Sequence, residues 1–292
     1  MDKPDQNLEQ MLFDGLNEHG FLFQEKCAEI LKNNQGLTDW LLLTQEYPVS
    51  TRVKDARIDI VLKDVKSYAF PREIYAIVEC KRANLSYTYA WLFGNPLLTN
   101  FDQPLAINLR EEETNKSGRH VGKHIRYAQI KLHYPQVNTY LIDNWWLEIG
   151  IGKKKASPQP IEDAFTQVCI GVSGIAQEQE MQYRKEPGPL SAIFIPILIT
   201  NVPLYVATYN LDDVDLTSGA INSKNIFFGP AGQKPEEIGW LLVDYGVSRS
   251  VTPDGLYEYA TGTSPVDLEE YHKRSIFVVN SKNIVNFFSR LH

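Results

Sequence analysis

Arg57-Ile58-Asp59-Ile60-Val61-Leu62 and Ile74-Tyr75-Ala76-Ile77-Val78-Glu79-Cys80-Lys81 decide how this chain is read. The first run alternates and is rich in β-branched residues, and the second is apolar until it ends in charge, so both predict strands. Side chains alternate along a strand. Tyr75, Ile77, Glu79 and Lys81 therefore share one face, while Ala76, Val78 and Cys80 take the other. Glu79 and Lys81 point the same way, roughly 7 Å apart. If the two runs pair as antiparallel neighbours with Asp59 opposite Glu79, the turn centres on residue 69. That position falls within Asp64-Val65-Lys66-Ser67-Tyr68-Ala69-Phe70-Pro71, a Pro-containing stretch that reads as the connection.

Two carboxylates facing each other across a strand pair repel unless a cation lies between them. Oxygen donors of this kind suit Mg²⁺ or Mn²⁺ better than zinc. Charge at a strand end is more often a solvated rim. Here, however, the chain's only Glu-x-Lys closes a run apolar enough for a central strand, where charge without a partner is costly. The residue types suit metal-assisted hydrolysis of a phosphodiester.

An Asp on one strand and Glu-x-Lys on the next, after an N-terminal helix, resembles the PD-(D/E)xK nuclease superfamily, the restriction-endonuclease-like fold. The resemblance covers residues 15 to 150, with Ile58-Asp59 in place of Pro-Asp and Glu79 as the acid of the second motif. It implies an α/β fold: an αβββαβ core with a mixed central sheet, elaborated by a C-terminal α/β extension. It also implies Asp59, Glu79 and the backbone carbonyl of Cys80 as ligands of Mg²⁺ or Mn²⁺, with Lys81 orienting or deprotonating the attacking water. The local context looks most like modified-DNA restriction and prokaryotic defence nucleases. The expected function is therefore a metal-dependent endonuclease acting on duplex DNA, working as a homodimer or within a larger defence complex. Two other readings stand beside it: a catalytically silent scaffold that binds nucleic acid or a protein, and an RNA-directed nuclease.

Around this core, residues 5 to 34 read as helical. Leu8, Met11, Leu12 and Leu16, then Phe23, Cys27, Ile30 and Leu31, recur at three- and four-residue steps, with a break near His19-Gly20. Nucleases of the resembled class add a Glu or Gln from this helix. Helical phase favours Gln24 and chemistry favours Glu25, so both are candidates, while Glu29 reads as solvated. Trp40 to Val49 reads as the first strand, and Glu46 on it is placed to lean toward Asp59.

From Thr114 to Ile142 the chain has no Asp or Glu but carries Lys116, Arg119, Lys123, Arg126 and Lys131. In a chain of net charge −7 this is a local excess. With Arg82 it makes a candidate phosphate-binding surface. A helix from His120 to His133 is expected, followed by a strand from Val137 to Ile142. Gln129 and Lys131 on that helix are accessory site candidates by the resemblance. His120 and His124 lack an evident third metal ligand and read as surface. Asn108 to Gly118 reads as a polar insertion over the cleft, and Trp145 to Gly150 as a strand in a hairpin with 137–142. One of the two tryptophans is expected to face outward, with packing favoured over stacking on a base.

The division expected is a nuclease-like core at 1–152 and an α/β extension at 153–292, packed on the core as one body, with Lys153-Lys154-Lys155 and a Pro-rich run as the linker. The extension reads as a helix from Ile161 to Gln182 with Gly171 and Gly174 in close packing. Strands follow at Ala192–Tyr209, split at Val202-Pro203, and at Ile238–Val247. A last strand, Ser275–Val279, runs into a helix at Asn283–Leu291. Asn210–Gln233 and Pro253–Glu269 read as loops. Cys27, Cys80 and Cys169 show no paired spacing, which predicts a reducing cytoplasm with neither disulfides nor structural zinc. No secretory signal or membrane span is expected. The acidic total suits an enzyme whose positive charge is confined to a cleft.

Overall fold

The computed structural model describes residues 4–18, 20–51, 55–66, 73–84, 86–94, 105–116, 119–131, 140–142, 144–152, 156–186, 191–229, 235–248, 251 and 273–291. The chain opens with α1 (Pro4–Glu18) and α2 (Phe21–Asn33). They part at Gly20, whose φ of 75° is a left-handed conformation open to a residue without Cβ. α2 buries Gln24, Cys27, Ala28 and Leu31, and the short α3 (Gln35–Thr38) turns the chain into the sheet.

Three antiparallel strands follow: β1 (Trp40–Ser50), β2 (Asp55–Asp64) and β3 (Glu73–Lys81). β2 and β3 pair Ile60 with Val78, Val61 with Ile77 and Leu62 with Ala76, the register in which Asp59 comes level with Glu79. The turn centre expected at residue 69 lies outside the described residues. β4 (Thr88–Gly94) then leaves this sheet.

The next segment departs from the sequence expectation. β5 (Leu105–Lys116) and β6 (Arg119–Lys131) form a long antiparallel pair, and β5 is anchored on the main sheet through Ile107–Arg110. The described part of the polar insertion, 108–116, is thus strand, and the described part of the helix expected over 120–133, up to Lys131, is its partner strand. Val121, Ile125 and Ala128 step at helical intervals, but a hairpin is held by its backbone ladder and does not depend on that period. β7 (Leu141–Ile142) and β8 (Trp146–Gly150) do not form the expected hairpin: β7 joins the main sheet and β8 pairs with β4 in a second sheet. The Val137–Thr139 part of the expected strand, and Lys153–Lys155, lie outside the described residues.

α4 (Gln159–Lys185) has Pro in its first turn, Glu162 near its N-terminus and Arg184 and Lys185 in its last turn, all favourable to the helix dipole. It buries Ala164, Phe165, Val168, Cys169, Val172 and Ile175. Gly171 and Gly174 let it lie directly on β1 and β2. A Cβ at 171 would come 2.9 Å from Cγ1 of Ile58, and one at 174 would come 2.6 Å from Cβ of Val49.

β9 (Ser191–Thr200) then runs parallel to β3 along its full length, from Glu73–Ala192 to Lys81–Thr200. On its other edge β9 changes partner, from β5 up to Phe194 to β13 from Ile197. Pro196, which has no N–H to give, falls in the gap. β10 (Leu204–Tyr209), β11 (Ile226–Phe228), β12 (Trp240–Gly246), β13 (Lys273–Asn280) and α5 (Ile284–Phe288) complete the chain. The expected loop at 210–233 therefore contains a strand, β11, while Pro253–Glu269 lies outside the described residues.

Among the described residues the main sheet has nine strands. Its path is β1-β2-β3-β9-β13-β12-β7, with β5 and β6 attached at β9. The second sheet runs β11-β10-β4-β8. Strands from both halves of the sequence thus join one sheet, with β9, β13 and β12 between β3 and β7. α2 and α5 cover one face around Ile60, Leu62, Val78, Ile197, Phe277 and Phe287. α4 and the second sheet cover the other, around Phe93, Phe165, Leu198 and Val278. Each such side chain contributes roughly 1.5–3 kcal/mol by leaving water. Trp40 Nε1 donates to the carbonyl of Leu291 at 3.1 Å and ties β1 to the C-terminus.

The elements α2, β1, β2, β3, α4 and β9 follow one another as helix, three antiparallel strands, crossover helix and parallel strand. A helix and a following strand were expected within 120–142; the described part of that stretch holds β6 and β7, and the strand that lies parallel to β3 is β9, which follows α4. No helix among the described residues is long and apolar enough to cross a membrane.

Candidate active site

The β2–β3 ladder ends at Ile60–Val78. Beyond it the regular alternation of β2 breaks. Ile60 and Leu62 face α2, yet Ile58 packs with Ile77 against Gly171 of α4. Asp59 stands at that reversal, and its Oδ2 accepts the backbone N–H of Cys80 at 2.6 Å. A carboxylate has replaced the strand carbonyl as acceptor, and the two strands open around it.

β1 is distorted at the same level. Its register with β2 shifts between Leu42 and Thr44, and Glu46, between the Gln45–Ile60 and Tyr47–Ile58 pairs, has φ of 52°. A left-handed non-glycine residue costs about 1–2 kcal/mol, and such strain gathers at functional sites. The distortion is braced from α2, where Gln24 Nε2 donates to Glu46 Oε1 at 2.5 Å and to the carbonyl of Asp59 at 3.3 Å. Gln24 is only 7% exposed, whereas Glu25 is exposed on the outer face, so helical phase selects Gln24.

These groups line a cleft of about 430 Å³. Its walls include Gln24, Glu46, Arg57, Asp59, Glu79, Cys80, Lys81 and Arg82. The structure thus brings together Asp59, Glu79, Lys81 and, of the other candidates, Gln24, Glu46 and Arg82. Two further side chains, Arg57 and Gln167, escaped the sequence reading. Arg57 Nη1 lies 3.7 Å from Glu46 Oε2, a solvent-facing pair of small energetic weight. Gln167 comes from α4. Once α4 is known to be the crossover helix, its proximity to the third strand is the signal that would have found it.

Gln129 and Lys131 lie on β6. The register sets them and the basic segment apart from the cleft. β6 sets Gln129 opposite Ile107, which is level with Phe194 of β9, and Lys131 two residues further toward Thr200, while Lys81 is level with Thr200 itself, roughly 20 Å along β9 from Phe194. β5 runs antiparallel to β9, so its Lys116 end leads away from Thr200. The side chains of Lys116, Arg119, Lys123, Arg126, Gln129 and Lys131 lie outside the described residues. Neither tryptophan of the pair faces fully outward: Trp145 Nε1 donates to the Tyr209 hydroxyl at 2.9 Å, and Trp146 packs edge-on against Phe165.

The electrostatics centre on Asp59. Burial pushes its carboxyl up to about 6; the Cys80 N–H pulls it down, Glu46 raises it further, and Lys81 lowers it. Glu79 is 6% exposed at the end of an apolar strand. The Cys80 thiol is held well above its ordinary range by a hydrogen bond with Cys27 and by burial. It stays neutral, leaving its backbone carbonyl as the oxygen it can offer.

Among the described residues no three His, Cys, Asp or Glu side chains are grouped closely enough to hold a metal by themselves. A small hard cation that keeps several waters needs only one or two carboxylates from the protein. Asp59 and Glu79, with the Cys80 carbonyl, supply a donor set of that size and hardness. Burial is the main reason the Asp59 carboxyl is raised, and the charge of Glu46 beside it adds a smaller rise that a cation would offset. No protein-family model, no curated protein and no solved structure matches the chain.

Proposed function

We propose that the chain is a divalent-metal-dependent nuclease of the PD-(D/E)xK type, hydrolysing phosphodiester bonds of duplex DNA as an endonuclease. The observation that carries this reading is the level placement of Asp59 and Glu79 on adjacent antiparallel strands, with both side chains and Lys81 lining one cleft. The succession α2-β1-β2-β3-α4-β9, with β9 parallel to β3, supports it, because the resembled fold has that order.

A bound Mg²⁺ or Mn²⁺ would supply a lowered water pKa and positive charge facing the phosphate. Asp59 and Glu79 are the groups that would hold it. The Cys80 N–H fixes the Asp59 carboxylate, so its free oxygen keeps one direction. Gln24 holds Glu46 beside it and restrains the local backbone through the Asp59 carbonyl. Lys81 brings an ammonium to the position where the attacking water would be oriented, either as charge partner or as base. Arg57 and Arg82 are available at the cleft wall for phosphate oxygens.

The test is cleavage of supercoiled plasmid and of labelled DNA and RNA with Mg²⁺ or Mn²⁺ and with EDTA. Metal-dependent nicking that disappears in Asp59→Ala and Lys81→Ala supports the reading. Wild-type rates in either variant overturn the assignment of roles. Preference for RNA in the same assay would move the substrate class.

A second reading has its own observation. Asp59 is already used as a structural acceptor for Cys80. In a catalytically silent scaffold that bond would be its whole purpose, with the cleft binding nucleic acid or a protein. Binding of DNA without cleavage under any divalent ion would favour this alternative.

A further inference from the structure

We propose that α1 is a docking helix for a protein partner presenting an apolar groove rimmed by lysine and arginine. Leu8, Met11, Leu12 and Leu16 recur at core-like spacing, yet they are 57%, 64%, 64% and 49% exposed. At ~100° per residue they fall, with Gly15, within one arc of ~140°. They present roughly 400 Å² of apolar surface, beyond what scattered surface residues amount to. A Cβ on Gly15 would meet nothing within 4 Å, so a partner's backbone can approach the middle of the stripe closely.

Charge selects the occupant. Exposed Asp14 flanks the stripe beyond Met11, and on the other side exposed Glu9 lies between Leu16 and the exposed Phe13. The helix also contains Asp5 and Glu18, and it holds no Lys, Arg or His. A second copy packed stripe to stripe would set acidic border against acidic border. An anionic lipid surface would be repelled for the same reason. A groove with an apolar floor and basic edges satisfies both features, in the helix-in-groove mode of recognition. α1 joins α2 at Gly20, and Gly20 and Phe21 line the cleft, so the partner would sit beside its mouth. The proposal does not depend on the nuclease reading.

The test places a photo-crosslinking residue at Met11 of the full chain expressed in its native cells. The captured protein is then purified and titrated against the full chain. The expected result is a different protein, cross-linked at an apolar groove edged by Lys or Arg. Its affinity should fall at least about tenfold with Leu12→Glu. It should also fall with the pair Glu9→Lys and Asp14→Lys and with rising salt, and return when the partner's rim charges are reversed. Unchanged circular dichroism and melting of Leu12→Glu keep this distinct from misfolding. Cross-links only to a second copy or to lipid, no cross-link at all, or a partner indifferent to these substitutions overturns the proposal.

Discussion

The carboxylate of Asp59 accepts the backbone N–H of Cys80 at 2.6 Å, across the point where β2 and β3 stop pairing. This bond fixes an acid beside Glu79 and Lys81 and keeps it in a poorly hydrated place. Burial accordingly raises the Asp59 carboxyl to about 6. The site holds charge against the preference of its surroundings, as candidate functional sites do.

Asp59→Asn should separate stability from activity. The amide oxygen can still accept the Cys80 N–H, and the buried charge disappears. Thermal melts in EDTA at pH 7.5 should show a midpoint raised by a few degrees. Metal-dependent cleavage should fall by about 10³-fold or more, the loss of several kcal/mol of stabilisation. A variant that is both less stable and fully active would contradict the assignment.

The pH dependence has a definite sign. An unfolded Asp titrates near 3.9, and Asp59 in the fold titrates at about 6. Between these values the native state binds the extra proton, so its contribution to stability declines as pH rises through the window and is flat above it. Denaturation in EDTA from pH 4 to 7 should show this decline in the wild type relative to Asp59→Asn. Added Mn²⁺ should reverse it above pH 6, where the carboxylate is free to bind. Parallel profiles for the two proteins would count against it.

Gln24 and Glu25 offer a paired comparison on one helix. Gln24→Ala removes the brace on Glu46 and on the Asp59 carbonyl. Cleavage should fall by about 10–100-fold, the usual range for groups that orient a metal site. Glu25→Ala, on the exposed face, should leave the rate unchanged. Steady-state cleavage of a labelled duplex distinguishes them.

Gly174→Ala tests the packing that positions β1 and β2. An alanine here would normally favour a helix, but its Cβ would fall 2.6 Å from Cβ of Val49. Urea unfolding should show a loss of about 1–3 kcal/mol. Combining it with Val49→Ala should recover part of that loss.

The β2–β3 register was legible because setting Asp59 opposite Glu79 centres the turn within a Pro-containing connection, and the observed pairing of Ile60 with Val78 has that register. α4 was equally visible, since its apolar stripe spans several turns and its two glycines mark a close approach. Its role as the crossover to β9 was hidden by the long segment between β3 and α4, which supplies β4, the β5–β6 hairpin, β7 and β8. β5 alternates only briefly, at Leu105, Ile107 and Leu109, before it turns polar, and β6 is polar for much of its length, so neither carried a sustained period-2 pattern. The separation of β7 from β8 depends on partners far along the chain, Leu242 and Trp91 among them, which local pattern does not encode. In the site, helical phase favoured Gln24, while chemistry kept Glu25 beside it until the burial of the helix was known. The left-handed Glu46 and the Asp59–Cys80 bond were not legible, because a polar residue within a strand pattern carries no signal of where the alternation reverses.

The most direct measurement is an anomalous difference map from crystals soaked in Mn²⁺. A peak coordinated by Asp59 and Glu79, lost in crystals of Asp59→Asn, is expected. A peak confined to other residues, or none at saturating Mn²⁺ with the cleft open to solvent, would contradict it.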